Sequence, residues 1–319
     1  MTLPDDTPLA LLLLGPTASG KSALALELAD RFAVEIVSVD SAQVYRGLDI
    51  GSAKPTPALQ ARYPHHLIDL RDPADPYSAA AFRDDALAVM AQIRARGNTP
   101  LLVGGTMLYF QLLCRGITAL PPARPALRAR LLDEAEAEAD GWPRLHQRLR
   151  QVDPLAAEQI PLGNRQRLIR ALEVFIDTGI PLSQHHAEQQ AAPLPQRWVT
   201  LGIQPQNRQL LSGPIAQRFR QMLDMGFVEE VQRLFERGDL HPDLPAIRAV
   251  GYRQIWSHLA GQSSHAEMVE RSLIATGQLA KRQLTWMRGW PGLRPLPLER
   301  AEQLALALKI VTPLPISRR

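Results

Sequence analysis

The residues whose types and spacing could do chemistry begin at Gly15-Pro16-Thr17-Ala18-Ser19-Gly20-Lys21-Ser22, which fits the pattern G-x-x-x-x-G-K-[ST] throughout. In such a loop Gly15 and Gly20 let the backbone curl so that several N–H groups point inward at phosphate oxygens, and a following helix adds its positive end. Lys21 brings a mobile full charge, and the Ser22 hydroxyl is placed to hold Mg2+. The pattern leaves open which phosphate ligand it holds. Asp40 closes the apolar run Glu35-Ile36-Val37-Ser38-Val39 and should lie beside the loop, because parallel α/β sheets bind ligands beyond the carboxyl ends of their strands. There it is either the acid that positions magnesium or a base for a substrate proton. Gly104-Gly105-Thr106 ends another apolar run; paired glycines let backbone approach a ligand closely, and Thr106 offers a hydroxyl to that ligand, caps the next helix, or both. Arg218, on a helical stretch with Met222 and Leu223, is a further candidate for the phosphates.

Elements must hold these groups in place, and the sequence shows which. Leu9 to Leu14 is a continuous apolar run, far too short to span a bilayer and read as a buried parallel strand; Ala23 to Arg31 is the helix that leaves the loop. Acidic Asp5 and Asp6 stand where a signal peptide would carry positive charge, so no membrane role is expected. Further strands are expected at Glu35 to Val39, His65 to Asp69, Leu101 to Val103 and Arg197 to Ile203. A helix is expected from Tyr77 to Arg94, opened by Pro76. The polar stretch Ser41 to Pro55 reads as loop and short helix at the mouth of the phosphate site, suited to a second substrate. His65 and His66 are adjacent, and neighbouring strand residues point to opposite faces, which argues against a shared metal. Together these make an α/β chain with a parallel sheet.

From Pro121 to about Pro195 the strand signals stop, and Leu127 to Ala139, Trp142 to Gln151 and Gln166 to Asp177 read as helices broken by proline and glycine. Three segments follow: residues 1–120 as the phosphate-binding core, 121–195 as an inserted helical module, and 196–319 as a return to the core with a helical carboxyl-terminal region. After Arg197 to Ile203 helices are expected, with Pro291 to Pro297 a loop and Pro313 to Arg319 a frayed tail.

Composition supports a folded chain of 319 residues, ample for a large core. The single cysteine, Cys114, excludes an internal disulfide framework or a cysteine zinc cluster and points to a reducing cytoplasm. Net charge is +4, unevenly spread: residues 151–319 carry 20 Lys and Arg against 15 Asp and Glu, while residues 1–150 carry 16 against 17. Arg167 and Arg170 share a helix face, and Arg248-Ala249-Val250-Gly251-Tyr252-Arg253 and Lys281-Arg282-Gln283-Leu284-Thr285-Trp286-Met287-Arg288 mix guanidinium groups with rings. Such mixtures bind phosphates and stack on unpaired bases, the chemistry of a single-stranded RNA loop.

Taken in order, the loop Gly15 to Ser22, Asp40-Ser41-Ala42-Gln43-Val44-Tyr45 with Gly51-Ser52-Ala53-Lys54-Pro55, Gly104 to Tyr109, Arg167 to Glu173, Arg218 with Met222-Leu223, Val250-Gly251-Tyr252 and Lys281 to Arg288 resemble the bacterial tRNA dimethylallyltransferase family. The resemblance runs from near Leu9 to near Trp290. One departure is Gly163-Asn164-Arg165, where relatives usually show Asn-Asp-Pro. The resemblance implies a P-loop NTPase-like parallel sheet core flanked by helices, with an inserted all-helical module and a helical carboxyl-terminal region. It also implies transfer of a dimethylallyl group from dimethylallyl pyrophosphate to N6 of the adenosine immediately 3′ of the anticodon. On that footing Gly15, Pro16, Thr17, Ala18, Ser19, Gly20, Lys21, Ser22 and Arg218 would bind the pyrophosphate, with Mg2+ at Ser22. Asp40 would be the general base, Thr106 would hydrogen-bond the departing bridging oxygen, and Lys21 and Arg218 would share the catalysis. The tRNA anticodon stem-loop would meet Asp40, Ser41, Ala42, Gln43, Thr106, Gln166, Arg167, Leu168, Ile169, Arg170, Arg248, Gly251, Tyr252, Arg253, Lys281, Arg282, Gln283, Thr285, Trp286 and Arg288. A cytoplasmic monomer is expected. The rival is a P-loop kinase acting on a nucleotide or other small molecule, which leaves the basic carboxyl-terminal region unexplained. A GTPase-like switch would need an N-K-x-D motif, and the sequence has none.

Overall fold

A computed structural model describes residues 7–116, 120–121, 124–188 and 196–319. The chain forms two compact units, Met1–Cys114 with Leu194–Arg319, and Arg115–Pro193. The first unit opens with β1 (Leu9–Leu14), α1 (Lys21–Arg31), β2 (Val34–Val39), α2 (Pro57–Arg62), β3 (His65–His66), α3 (Ala79–Ala95), β4 (Thr99–Gly104) and α4 (Met107–Arg115). The second unit carries α5 (Pro125–Glu136), α6 (Gly141–Val152), α7 (Pro154–Gln159), α8 (Arg165–Thr178) and α9 (Leu182–Glu188). The chain then returns through β5 (Arg197–Ile203), α10 (Ser212–Asp224), α11 (Phe227–Phe235), α12 (Tyr252–Leu259), α13 (His265–Arg288), β6 (Arg294–Leu296) and α14 (Arg300–Val311).

The six strands form one parallel sheet in the order β3-β2-β4-β1-β5-β6. Its apolar spelling follows from position: β1 lies between β4 and β5, and Ala10 to Leu14 are fully buried. Successive side chains alternate between faces. Leu12 and Leu14 accordingly join the apolar cluster that holds Phe82, Met90 and Phe110, while Leu11 and Leu13 join the one that holds Leu24, Leu28 and Val311. With every strand running the same way, Leu14, Val39 and Gly104 lie level in the ladder, so the segments that follow β1, β2 and β4 leave from one edge. That edge carries Gly15 to Ser22, Asp40 and Thr106.

Three expectations change. The helix after Pro76 begins at Ala79, because the Ser78 hydroxyl caps it by accepting from the Ala81 N–H. The strand at His65 lasts two residues, ended by left-handed backbone at Leu67 (φ 63°) and Asp69 (φ 57°). The stretch read as loop and frayed tail is built into the core. Arg294–Leu296 pairs with Leu201–Ile203 at the sheet edge, where the missing N–H of Pro295 is tolerated. Farther on, Ser317 accepts from the Ala33 N–H at 2.7 Å and Ile316 is buried.

The second unit packs Leu131, Leu145, Leu149, Leu168, Ile169 and Leu172 into its own core. Buried Glu173 takes both Arg128 Nε and Nη2 at 3.0 Å, Arg170 Nη1 at 2.6 Å and the Arg124 N–H at 2.6 Å. Asn164, inside the departing tripeptide, caps α8 by accepting from the Arg167 N–H.

Candidate active site

The loop from Gly15 to Ser22 adopts a conformation that only certain residues permit. Gly20 has φ 85°, in the left-handed region that glycine enters without steric cost. A side chain at Gly15 would meet Ser19 Oγ at 2.6 Å. The Ser19 hydroxyl is buried and has no hydrogen-bond partner among the described residues. Lys21 is the first residue of α1, and its Nζ lies 3.4 Å from the Pro16 carbonyl. Burial, and then the nearby Arg218 guanidinium, push the Lys21 pKa down to about 8, while Asp40 opposes the shift. Arg218 responds in the same way: burial lowers its pKa and Asp40 raises it. Arg218 Nη1 donates to Thr17 Oγ1 at 3.1 Å, which ties the guanidinium to the loop. Two partly buried cations therefore stand near one carboxylate, a balance that an anion would complete.

Asp40 holds its own turn. Its Oδ1 accepts from the Ala42 N–H at 2.8 Å and the Gln43 N–H at 3.3 Å, which leaves Oδ2 without a hydrogen bond from the described residues. Thr106 Oγ1 accepts from the Ser41 N–H at 3.2 Å, so its own hydrogen is free to donate elsewhere. The backbone of Thr106 is anchored by its N–H to the Val39 carbonyl. Glu230, missed by the sequence reading, fixes the rest of this mouth. It is buried, accepting from the Asp49, Ile50 and Gly51 N–H groups and from the Tyr252 hydroxyl at 2.6 Å. Its signal was present: Phe227, Glu230, Val231 and Leu234 follow helical spacing, which places an acid in an apolar row.

The residues expected to meet RNA fall into two groups. Gln166, Arg167, Arg248, Arg253, Lys281, Arg282, Thr285, Trp286 and Arg288 are exposed. Arg253, Lys281, Arg282 and Arg288 form no ion pair with the described residues. Ser41 is exposed as well, and Asp40, Ala42 and Thr106 are half-buried at the sheet edge, while the remaining residues are turned inward. Leu168 and Ile169 lie in the core of the second unit, Arg170 is held by Glu173 and the Pro121 carbonyl, and Tyr252 is fully buried. Gly251 is closed in by the Phe227 ring. Gln43 occupies its amide inside the loop, accepting from Ser38 Oγ and donating to the Ser52 and Ala53 carbonyls. Gln283 is buried and meets the phosphate loop instead of the surface: its Oε1 accepts from the Thr17 N–H and its Nε2 donates to the Gly105 carbonyl. Each of these polar side chains finds its partner within the protein, as burial requires.

For a metal, the described residues contain no cluster of three or more His, Cys, Asp or Glu. The donors near the loop are hard oxygens, the exposed Ser22 hydroxyl and the Asp40 carboxylate, a set that suits Mg2+ held mainly by ligand phosphate oxygens and water. No helix among the described residues is long and apolar enough to cross a membrane.

The family described as IPP transferase matches residues 43–290. A tRNA dimethylallyltransferase of Thioalkalivibrio sulfidiphilus is 54% identical over 95% of this chain and 94% of its own. One of Chromohalobacter salexigens is 54% identical over 96% and 98%. Among solved structures, the full-length tRNA isopentenylpyrophosphate transferase of Bacillus halodurans superposes with TM-score 0.69 at 31% identity, covering 97% of this chain and 96% of that one. A eukaryotic dimethylallyltransferase acting on tRNA reaches TM-score 0.77 at 23% identity, over 97% of this chain and 81% of its own, which speaks to the fold. The core is thus a P-loop NTPase-like parallel sheet flanked by helices, and the chain belongs to the IPP transferase family.

Proposed function

We propose that this protein transfers a dimethylallyl group from dimethylallyl pyrophosphate to N6 of the adenosine immediately 3′ of the anticodon in tRNA, releasing pyrophosphate. The observation that carries the reading is the pair of partly buried cations, Lys21 and Arg218, set with a phosphate-binding loop near the carboxylate of Asp40. Breaking the allylic C–O bond leaves negative charge on pyrophosphate. Loop N–H groups, Lys21 and Arg218 would bind that charge more strongly as it develops. The free hydrogen of Thr106 suits the bridging oxygen as it leaves. An adenine N6 amine is a weak nucleophile because its lone pair is delocalised into the ring. It must lose its proton as the new C–N bond forms, and Oδ2 of Asp40 is the acceptor at hand. Mg2+, held through Ser22 and the pyrophosphate oxygens, would neutralise leaving-group charge.

The tRNA would be met by the exposed cations of α13 and by Arg253, with Trp286 available for a base to stack on. Residues 121–195 would serve as a tRNA-binding module through the exposed Gln166 and Arg167. Extruding the base costs a few kcal/mol from a duplex and less from an anticodon loop, which favours a loop target. A cytoplasmic monomer belongs to the same reading. Incubating the protein with tRNA and labelled dimethylallyl pyrophosphate, beside tRNA and labelled ATP, decides it. Label in RNA from the prenyl donor alone is expected. Phosphoryl transfer without prenylation would replace the reading with a kinase.

A further inference from the structure

Among the polar side chains buried near the loop, Gln283 is the one that touches two catalytic segments at once. It lies on α13, is 7% exposed, and sits in an apolar row with Ala280, Leu284 and Met287. Its Oε1 accepts from the Thr17 N–H at 2.9 Å, and its Nε2 donates to the Gly105 carbonyl at 2.9 Å. These partners determine which way the amide faces, since a backbone N–H can pair only with the oxygen and a carbonyl only with the nitrogen. Gly105 takes part by having no side chain: a Cβ there would run into Gln283 Nε2.

We infer that Gln283 is a positioning residue that sets the spacing between the pyrophosphate loop and the turn carrying Thr106; this rests on the transfer reaction proposed above. Thr17 is also the residue on which Arg218 is anchored, and Gly105 immediately precedes Thr106. One amide thus spans the segment that grips the terminal phosphates and the segment that meets the bridging oxygen. Both sets of groups act on a single departing pyrophosphate, so a shift of one against the other loses alignment at the bond that breaks. Of the exposed α13 residues, Lys281, Arg282, Thr285 and Arg288 lie away from Gln283 around the helix and only Trp286, three residues on, flanks it, so the effect of Gln283 separates from the contacts those three cations and that hydroxyl would make with RNA.

Two substitutions test this. Gln283→Met keeps length and volume and removes both hydrogen bonds; Gln283→Glu keeps the acceptor for Thr17 but sets an oxygen against the Gly105 carbonyl. In single turnover with both substrates saturating, Gln283→Met should lower the rate by about 10- to 100-fold, and Gln283→Glu further. Inorganic pyrophosphate, followed by calorimetry, should bind each variant more weakly, while the tRNA Kd from filter binding stays within about twofold of the parent, since no RNA-facing group has changed. A single-turnover rate within about twofold of the parent in folded Gln283→Met, or a loss confined to tRNA Kd, would overturn the inference. Should Gln283→Met not fold, Gly105→Ala decides. Its methyl displaces Gln283, so adding Gln283→Ala should cost no further activity; losses that multiply would refute the coupling. A parent protein that binds pyrophosphate but does not prenylate tRNA would strike the transfer reading alone, and the pyrophosphate titrations would still judge Gln283.

Discussion

Strand β2 joins two clusters of ionisable groups that have been built in opposite ways. Near its start, Glu35 is buried and fully partnered: Arg96 donates through Nε at 3.0 Å and Nη2 at 2.7 Å, Asn98 donates at 2.7 Å, and His66 Nε2 lies 2.6 Å away. Just past its end, Asp40 stands beside Lys21 and Arg218, two cations that burial disfavours and that disfavour each other. In the same loop, the Ser19 hydroxyl is buried without a hydrogen-bond partner among the described residues. The first cluster is complete as it stands. The second becomes complete only with an anion in the loop. Satisfied groups hold a fold together, whereas unsatisfied ones mark the place where a ligand supplies what the protein lacks.

The sharpest division between the clusters comes from Asp40→Asn. With no base for the N6 proton, the single-turnover rate should drop by about 10² to 10⁴. Pyrophosphate affinity and the thermal midpoint should hold, because the amide oxygen can still accept from the Ala42 and Gln43 N–H groups. A near-parental rate would remove Asp40 as the base. A large fall in thermal midpoint would put it with Glu35 as a structural acid.

Arg218→Ala should act next most strongly, slowing the chemical step by about 10² to 10³ at saturating tRNA, the cost of one preorganised donor to the leaving group. Stability should not fall with it, since a partly buried guanidinium near an ammonium gains little from the folded state. An effect found only in tRNA Kd would move Arg218 from the pyrophosphate to the RNA.

Glu35→Ala should invert the pattern. It leaves Arg96, Asn98 and His66 without their common acceptor and should cost about 2 kcal/mol in chemical unfolding, moderated by the exposure of Arg96. Turnover per folded molecule should match the parent. A catalytic defect in the folded fraction would show that the two clusters are coupled along β2.

This contrast also explains what could be read from sequence. Gly15 to Ser22, Asp40, Thr106 and Arg218 could be singled out as candidates because reactive chemistry restricts residue type, and β1, β2, β4 and β5 could be read as strands because burial on two faces favours mostly apolar runs. Three helices of the second unit, α5, α6 and α8, were legible to within a few residues from their prolines and glycines, while the shorter α7 and α9 were not. Strand β6 was not, since three residues including Pro295 carry no strand signal and depend on pairing with β5. Glu230 and Gln283 escaped for a related reason: each is polar in an apolar row, and its role depends on backbone far away in sequence, Asp49 to Gly51 for one and Thr17 with Gly105 for the other.

The smallest expected effect is also the one that isolates the structural cluster from catalysis. Hydrogen bonds from Arg96 chiefly, then from Asn98 and His66, hold the Glu35 carboxyl at a pKa of about 2 against the opposing effect of burial; its ordinary value is 4.5. A carboxylate whose pKa is depressed on folding contributes stability that is present above the unfolded value and lost as pH falls toward the folded one. The window is therefore pH 4.5 down to about 2. Because Arg96 is 47% exposed and screened by solvent, the loss across that window should be about 1 kcal/mol, below what the shift alone would give. Other carboxylates also protonate there, so the informative quantity is the difference between the parent and Glu35→Gln in urea unfolding from pH 6 to pH 3. The parent should be the more stable at pH 6, and the gap should narrow toward pH 3. A gap that stayed constant would mean that Glu35 stabilises β2 through shape and neutral hydrogen bonds, and the charge balance that separates it from Asp40 would no longer account for the difference between the two ends.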